Sequence, residues 1–247
     1  MRYYVASDIH GFFGCFIKAL EEKGYFSDRD EHKLIILGDL FDRGMEAREL
    51  QEFILEQMIA RQIILIRGNH EDLFERLVTL DEGLPYEDHL QNGTYLTALL
   101  LTGFEPKQAA NYQEFAAEAR ATPFYRHIIP AMLNYYETNH YVFTHGWVPC
   151  IHEYDGLVYD EDWRTASLDS WEKARWYNGM DAAESFMEKK TVVCGHSTSS
   201  YGHAKFEGRG TVTGPEADHS PYYGEHVIAI DAHTAVSQTV NVIVLED

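Results

Sequence analysis

Residues 2–7 (RYYVAS), 33–37 (KLIIL) and 62–66 (QIILI) are three short aromatic or apolar runs. Each stops at a polar cluster: Asp8-Ile9-His10-Gly11, Gly38-Asp39 and Arg67-Gly68-Asn69-His70. Between the first two, Phe16, Ile17 and Leu20 recur at helical spacing over 14–23 and Gly24 stops them. Between the last two, Leu50, Phe53, Ile54 and Ile59 share one helical stripe over 45–60. Strand, helix, strand, helix, strand is the pattern of a mostly parallel sheet. Ligands of open α/β sheets bind at the carboxyl ends of the strands. The polar clusters are therefore candidate functional positions by placement alone.

The rest of the chain repeats that placement less regularly. Residues 71–138 are helical in pattern, with breaks at Gly83-Leu84-Pro85 and at Thr102-Gly103-Phe104-Glu105-Pro106. They predict a helical insertion at about 81–138. Strands are expected at 140–144, ending in His145-Gly146, and at 190–194, ending in Gly195-His196. Residues 197–225, rich in Gly, Ser, His and Pro, read as an irregular loop. Residues 226–231 and 237–245 read as two closing strands joined as a hairpin. No repeat or linker interrupts residues 1–247, so one domain is expected.

Charge narrows the partners. Forty Asp and Glu against twenty Lys and Arg give a net charge of −20. Such a surface repels nucleic-acid polymers and anionic membranes, but a few local cations still admit a small phosphorylated ligand. The three cysteines, Cys15, Cys150 and Cys194, form no CxxC pair and suit a reducing compartment. With no apolar signal core at the start and no apolar run of spanning length, a cytoplasmic protein is expected. The oligomeric state is left open.

Collected from five strand ends, the polar residues are Asp8, His10, Asp39, Asp42, Arg43, Asn69, His70, His145 and His196. Singly, each fits a turn or a helix cap. Together they supply three carboxylate or amide oxygens and three further imidazoles beside His70, a mixed set that suits Mn, Fe or Zn better than Mg or Ca. Six ligands exceed the needs of one catalytic zinc, and two divalent metal ions sharing one carboxylate would account for them.

The string Asp8-Ile9-His10, Gly38-Asp39-Leu40-Phe41-Asp42-Arg43-Gly44, Gly68-Asn69-His70-Glu71, His145-Gly146, Gly195-His196 resembles the calcineurin-like metallophosphoesterases, in the form of their phosphoprotein phosphatase branch. The likeness spans roughly residues 5–200. It implies an α/β fold of four layers, an αββα sandwich with a helical insertion. It also implies that Asp8, His10 and Asp39 hold one metal, and that Asp39, Asn69, His145 and His196 hold a second, with Asp39 bridging. His70 would be the general acid, Asp42 would fix its tautomer, and Arg43 would grip phosphate oxygens. A second phosphate-binding arginine is expected between the HG and GH elements. Arg164 and Arg175 both lie there, and Arg175 is preferred.

The implied activity is hydrolysis of phosphate monoesters, with phosphorylated Ser/Thr protein first and a small phosphorylated molecule also admissible. The alternative substrate is a dinucleoside polyphosphate or another phosphoanhydride. A non-catalytic scaffold is disfavoured because every ligand and the acid are present. The sequence departs from the family pattern at Trp147, after His145-Gly146, where a large ring would narrow the cleft or cover the metals. It departs again at Asp231-Ala232-His233, where related nucleotide hydrolases tend to carry Asp-Thr-Gly.

Overall fold

The computed structural model describes residues 1–80, 86–153 and 156–247. The opening alternation is realised as β1 (Arg2–Ala6), α1 (Phe13–Glu22), β2 (His32–Ile36), α2 (Ala47–Ile59) and β3 (Ile63–Leu65). β1 runs parallel to β2, and β2 parallel to β3. α3 (Asn69–Thr79) then starts on the GNHE segment itself. The insertion contributes α4 (Tyr86–Asn92), α5 (Thr94–Thr102) and α6 (Tyr112–Ala121), followed by short irregular turns to Ala131. Its first five expected residues lie outside the described ones.

A second sheet follows. β4 (Tyr136–Glu137) and β5 (Tyr141–Phe143) are antiparallel. β6 (Cys150–Glu153) and β7 (Gly156–Tyr159) form a separate two-stranded ribbon that the sequence pattern does not announce. After α7 (Leu168–Ala174) and α8 (Gly179–Ala182), β8 (Thr191–Thr198) pairs parallel with β5. The segment expected to be an irregular loop holds α9 (Ser199–Phe206) and β9 (Tyr222–Gly224). β10 (Val227–Asp231) lies between β8 and β9.

The expected closing hairpin is corrected. After the single turn α10 (Thr234–Ser237), β11 (Val242–Glu246) leaves the second sheet and pairs antiparallel with β1, so the strand orders are β11-β1-β2-β3 and β4-β5-β8-β10-β9. Two apolar strands in succession predict pairing, but they carry no signal about which sheet has a free edge.

The period-two alternation of β1 explains the layers. Tyr3 and Val5 point to an apolar layer with Ile35 and Ile243 of the first sheet and Phe143, Val193, Ile228 and Ile230 of the second. Tyr4 and Ala6 point the other way, toward Phe16, Leu20, Leu50 and Ile54 of α1 and α2. On the far side of the second sheet, Val142, Val192 and Ala229 pack against Trp163, Trp171, Met180 and Phe186. Helix, sheet, sheet, helix is the expected four-layer sandwich. Trp147 belongs to that last core, with only 1% of its surface exposed.

Candidate metal centre

The polar ends of β1, β2, β5 and β8 and the start of α3 meet at one edge of the two sheets. Asp8, His10, Asp39, Asp42, Asn69, His70 and His145 are all buried, and His196 is nearly so. Backbone geometry turns the side chains inward: Asp8, His10, Asp39, Asp42 and His196 all have positive φ, between 51° and 87°. Residues with a side chain seldom adopt that conformation, and its concentration in one place marks a functional cluster. Close approach seals the arrangement. A Cβ on Gly195 would stand 1.8 Å from Ser7 Oγ and 2.2 Å from Asp8 Oδ2, so only glycine lets β8 pass this close to β1.

Two tight groups share Asp39. His10, Asp39 and His70 form one, and Asp39, His145 and His196 the other, with donor atoms in each group all within 4.8 Å of one another. The second group matches the expected second metal site. It is completed by Asn69 Oδ1, which lies 2.8 Å from His145 Nε2 and 3.0 Å from His196 Nδ1. The first group differs from expectation, because it contains His70 where Asp8 was anticipated. Asp8 stands beside it, its carboxylate accepting Ser7 Oγ–H and the backbone N–H of His196. His10 Nε2 and His70 Nε2 each lie 3.8 Å from Asp39 Oδ2.

The residues fit a pair of cations. Phe41 O can only accept, so His10 Nδ1–H donates to it at 2.7 Å and Nε2 is left to face Asp39. Leu37 O likewise takes His145 Nδ1–H at 2.5 Å. These are the carbonyl contacts that orient metal-binding imidazoles. His145 Nε2 then faces two oxygens, Asn69 Oδ1 and, at 3.3 Å, Asp39 Oδ1. Oxygens and nitrogen lone pairs converge there on a point that calls for positive charge.

Titration follows from the same crowding. Burial pulls His10 down to about 3 and His196 down to about 4, which keeps both neutral, the ligand form. Burial would also lower His145, but the charge and hydrogen bond of Asp39, the Asp8 charge and the Leu37 carbonyl together outweigh it and carry His145 up to about 10. The histidines in turn hold Asp39 well below the usual carboxylate range, against its burial. Burial pushes Asp8 up to about 6. His70 is raised to about 9, since the Asp39 charge and the 2.8 Å bond from Nδ1 to Asp42 Oδ2 overcome its burial.

The two arginines are placed differently. Arg43 is exposed and has no hydrogen-bond or ion-pair partner among the described residues, yet its charge is felt at His10 and His70. Arg175 is buried, with Nη1 on Asp72 and Nη2 on Asn134, both at 2.7 Å, and Nε without a partner. Arg164 is occupied by Glu137 and Glu188. Three contributors went unread in the sequence. Glu71 lies inside the quoted GNHE string, and its carboxylate accepts the backbone N–H groups of Gly68, Asp39 and Leu40. Thr94 and Thr97 of α5 both donate to Asp42, and no local pattern announces them.

Comparison with known proteins agrees with this fold. The fold resembles that of a cold-active protein-tyrosine phosphatase from a psychrophilic Shewanella species, at 17% identity and a TM-score of 0.56, over 100% of this chain and 75% of that one. It also resembles a putative diadenosine tetraphosphatase, at 12% identity and a TM-score of 0.51, over 100% of this chain and 94% of that one. At these identities the likenesses concern the fold. No curated protein matches the sequence. The family model for calcineurin-like phosphoesterases matches residues 1–236. The chain therefore belongs to the calcineurin-like phosphoesterases, a family of metal-dependent hydrolases.

Proposed function

We propose that this chain hydrolyses phosphate monoesters, with phosphorylated serine or threonine in protein as the first substrate class. The observation that carries the reading is the shared position of Asp39, whose carboxylate joins both histidine groups while Asn69 Oδ1 faces His145 and His196. Asp8, His10 and Asp39 would hold one divalent ion, and Asp39, Asn69, His145 and His196 a second, with Mn, Fe or Zn suited to the donors. When bound, such a pair screens the phosphoryl oxygens and makes a solvent nucleophile available near neutral pH.

The chain's own groups supply the rest. His70, its Nδ1–H held by the buried Asp42 carboxylate, delivers a proton from Nε2 to the departing ester oxygen. Asp42 receives Nδ1–H at 2.8 Å and so fixes the ring. Arg43, exposed and unpaired among the described residues, presents its planar fork to the phosphate. Arg175 spends one N–H of Nη1 on Asp72 and one of Nη2 on Asn134, which leaves three of its five donors, Nε among them, beyond those bonds, and Arg43 is the first assignment for phosphate binding.

The GDxxDRG and GNHE forms favour protein monoesters. The overall likeness to a putative diadenosine tetraphosphatase keeps dinucleoside polyphosphates as the second reading. A panel with added Mn separates them: phosphoseryl, phosphothreonyl and phosphotyrosyl peptides, dinucleoside tetraphosphate, mononucleotides and an aryl phosphate. The expected result is fastest phosphate release from phosphoseryl or phosphothreonyl peptides. Faster cleavage of the tetraphosphate transfers the assignment to the second reading, and inertness toward the whole panel rejects both.

A further inference from the structure

The Asp42 carboxylate takes more donors than its pairing with one histidine explains. Oδ2 accepts His70 Nδ1–H at 2.8 Å and Thr94 Oγ1–H at 2.9 Å, and Oδ1 accepts Thr97 Oγ1–H at 2.6 Å. All four side chains are buried, so water does not compete for these bonds. The threonines lie three residues apart in the first turn of α5, a spacing that sets both hydroxyls on one helical face.

Backbone contact brings that turn to the site. Gly93, with φ +87°, sits where a Cβ would stand 1.7 Å from the Asp42 carbonyl oxygen, so no other residue could seat α5 here unchanged. Asp42 itself has φ 87°. A carboxylate plane turns about a soft torsion, and a single histidine donor leaves that torsion poorly fixed. Hydroxyls on both oxygens fix it.

We infer that Thr94 and Thr97 are positioning residues for proton delivery, locking the Asp42 carboxylate so that His70 Nε2 is aimed at the departing oxygen. The inference deepens the function proposed above and rests on its reading of His70 as the acid. It makes the orientation of the acid depend on the helical insertion, since the two hydroxyls come from 52 and 55 residues beyond Asp42.

The test compares T94V, T97V, the double variant, T94S/T97S and H70N on phenyl phosphate and p-nitrophenyl phosphate, in the full Mn-supplied chain. Metal content is measured alongside, and the downfield imidazole N–H proton resonances are recorded on the zinc-supplied protein. The double variant is expected to lose roughly tenfold in kcat on phenyl phosphate, a fraction of what a general acid contributes, and about twofold or less on p-nitrophenyl phosphate. KM and metal content stay at wild-type values, the His70 Nδ1–H resonance shifts, and T94S/T97S restores both rate and resonance. Should the double variant fail to fold, T97V alone is expected to show the same selective loss at smaller size. Threonine variants that keep the wild-type rate ratio while H70N changes it overturn this assignment alone. Equal losses on both esters in H70N overturn the acid reading, and this assignment with it.

Discussion

Glu71 Oε2 accepts the backbone N–H of Asp39 at 3.1 Å, tying the first turn of α3 to the end of β2. The same oxygen takes Gly68 N–H at 2.7 Å, and Oε1 takes Leu40 N–H at 3.0 Å. One carboxylate thus holds two of the loops that carry the donor cluster. Burial, with the Asp39 charge beside it, pushes Glu71 up to about 7. Glu71→Gln keeps the shape but turns an NH2 toward a backbone N–H. We expect it to destabilise the chain by about 1–3 kcal/mol in denaturant unfolding, the range for a buried donor left unpaired. An unchanged midpoint would mean that the three bonds do not hold the loops together.

Asp39 joins both histidine groups. Asp39→Asn retains one carbonyl oxygen and removes the charge on which a shared site depends. Metal per chain, measured after equilibration with Mn and removal of the excess, is expected to fall at both positions together. Loss of one equivalent with full retention of the other would place Asp39 on a single ion.

His70 is bonded through Nδ1 to Asp42, and its Nε2 lies over the Asp39 carboxylate. His70→Asn is expected to spare metal content and to lower kcat on a phosphoseryl peptide by about 10²-fold or more, within the usual range for a general acid. The loss on p-nitrophenyl phosphate, whose leaving group needs no proton, is expected to be much smaller.

The metal-free protein carries its own pH signature. His145 is raised to about 10 and His70 to about 9, whereas an unfolded histidine titrates near 6.5. Between about pH 6.5 and those values the folded chain keeps protons that the unfolded chain has released. The stability they contribute is fully present below about pH 6.5 and is lost as pH rises through about 9 to 10. Melting temperature in chelator is therefore expected to fall from pH 6.5 to 9. Added Zn should flatten the part of that fall due to His145, because there a cation takes the place of the proton. A level profile in chelator would show that neither imidazole retains its proton.

Much of this site could be read from the sequence, because its donors follow strands whose apolar runs are self-evident. Asp8, Asp39 and Asn69 come directly after such runs, and β1, β2 and β3 lie within a residue or two of their expected bounds. What could not be read depended on contacts distant along the chain. The pairing of β11 with β1 depends on which sheet edge is free. The burial of Trp147 depends on Phe186 and the second sheet's outer core. Thr94 and Thr97 look like ordinary helix residues until α5 is docked on Asp42. Arg175 is held by Asp72 and Asn134, 103 and 41 residues away, contacts that its place in the sequence does not announce.

The left-handed backbone at Asp8, His10, Asp39 and His196 sets the molecule's robustness against its chemistry. Glycine would rest more comfortably at each of these four sites, so a lineage released from selection for turnover could grow hardier by discarding the very groups proposed to grip the ions. The cage is held in place by the surrounding sandwich rather than by local preference, and rigidity there is inherited from the whole architecture.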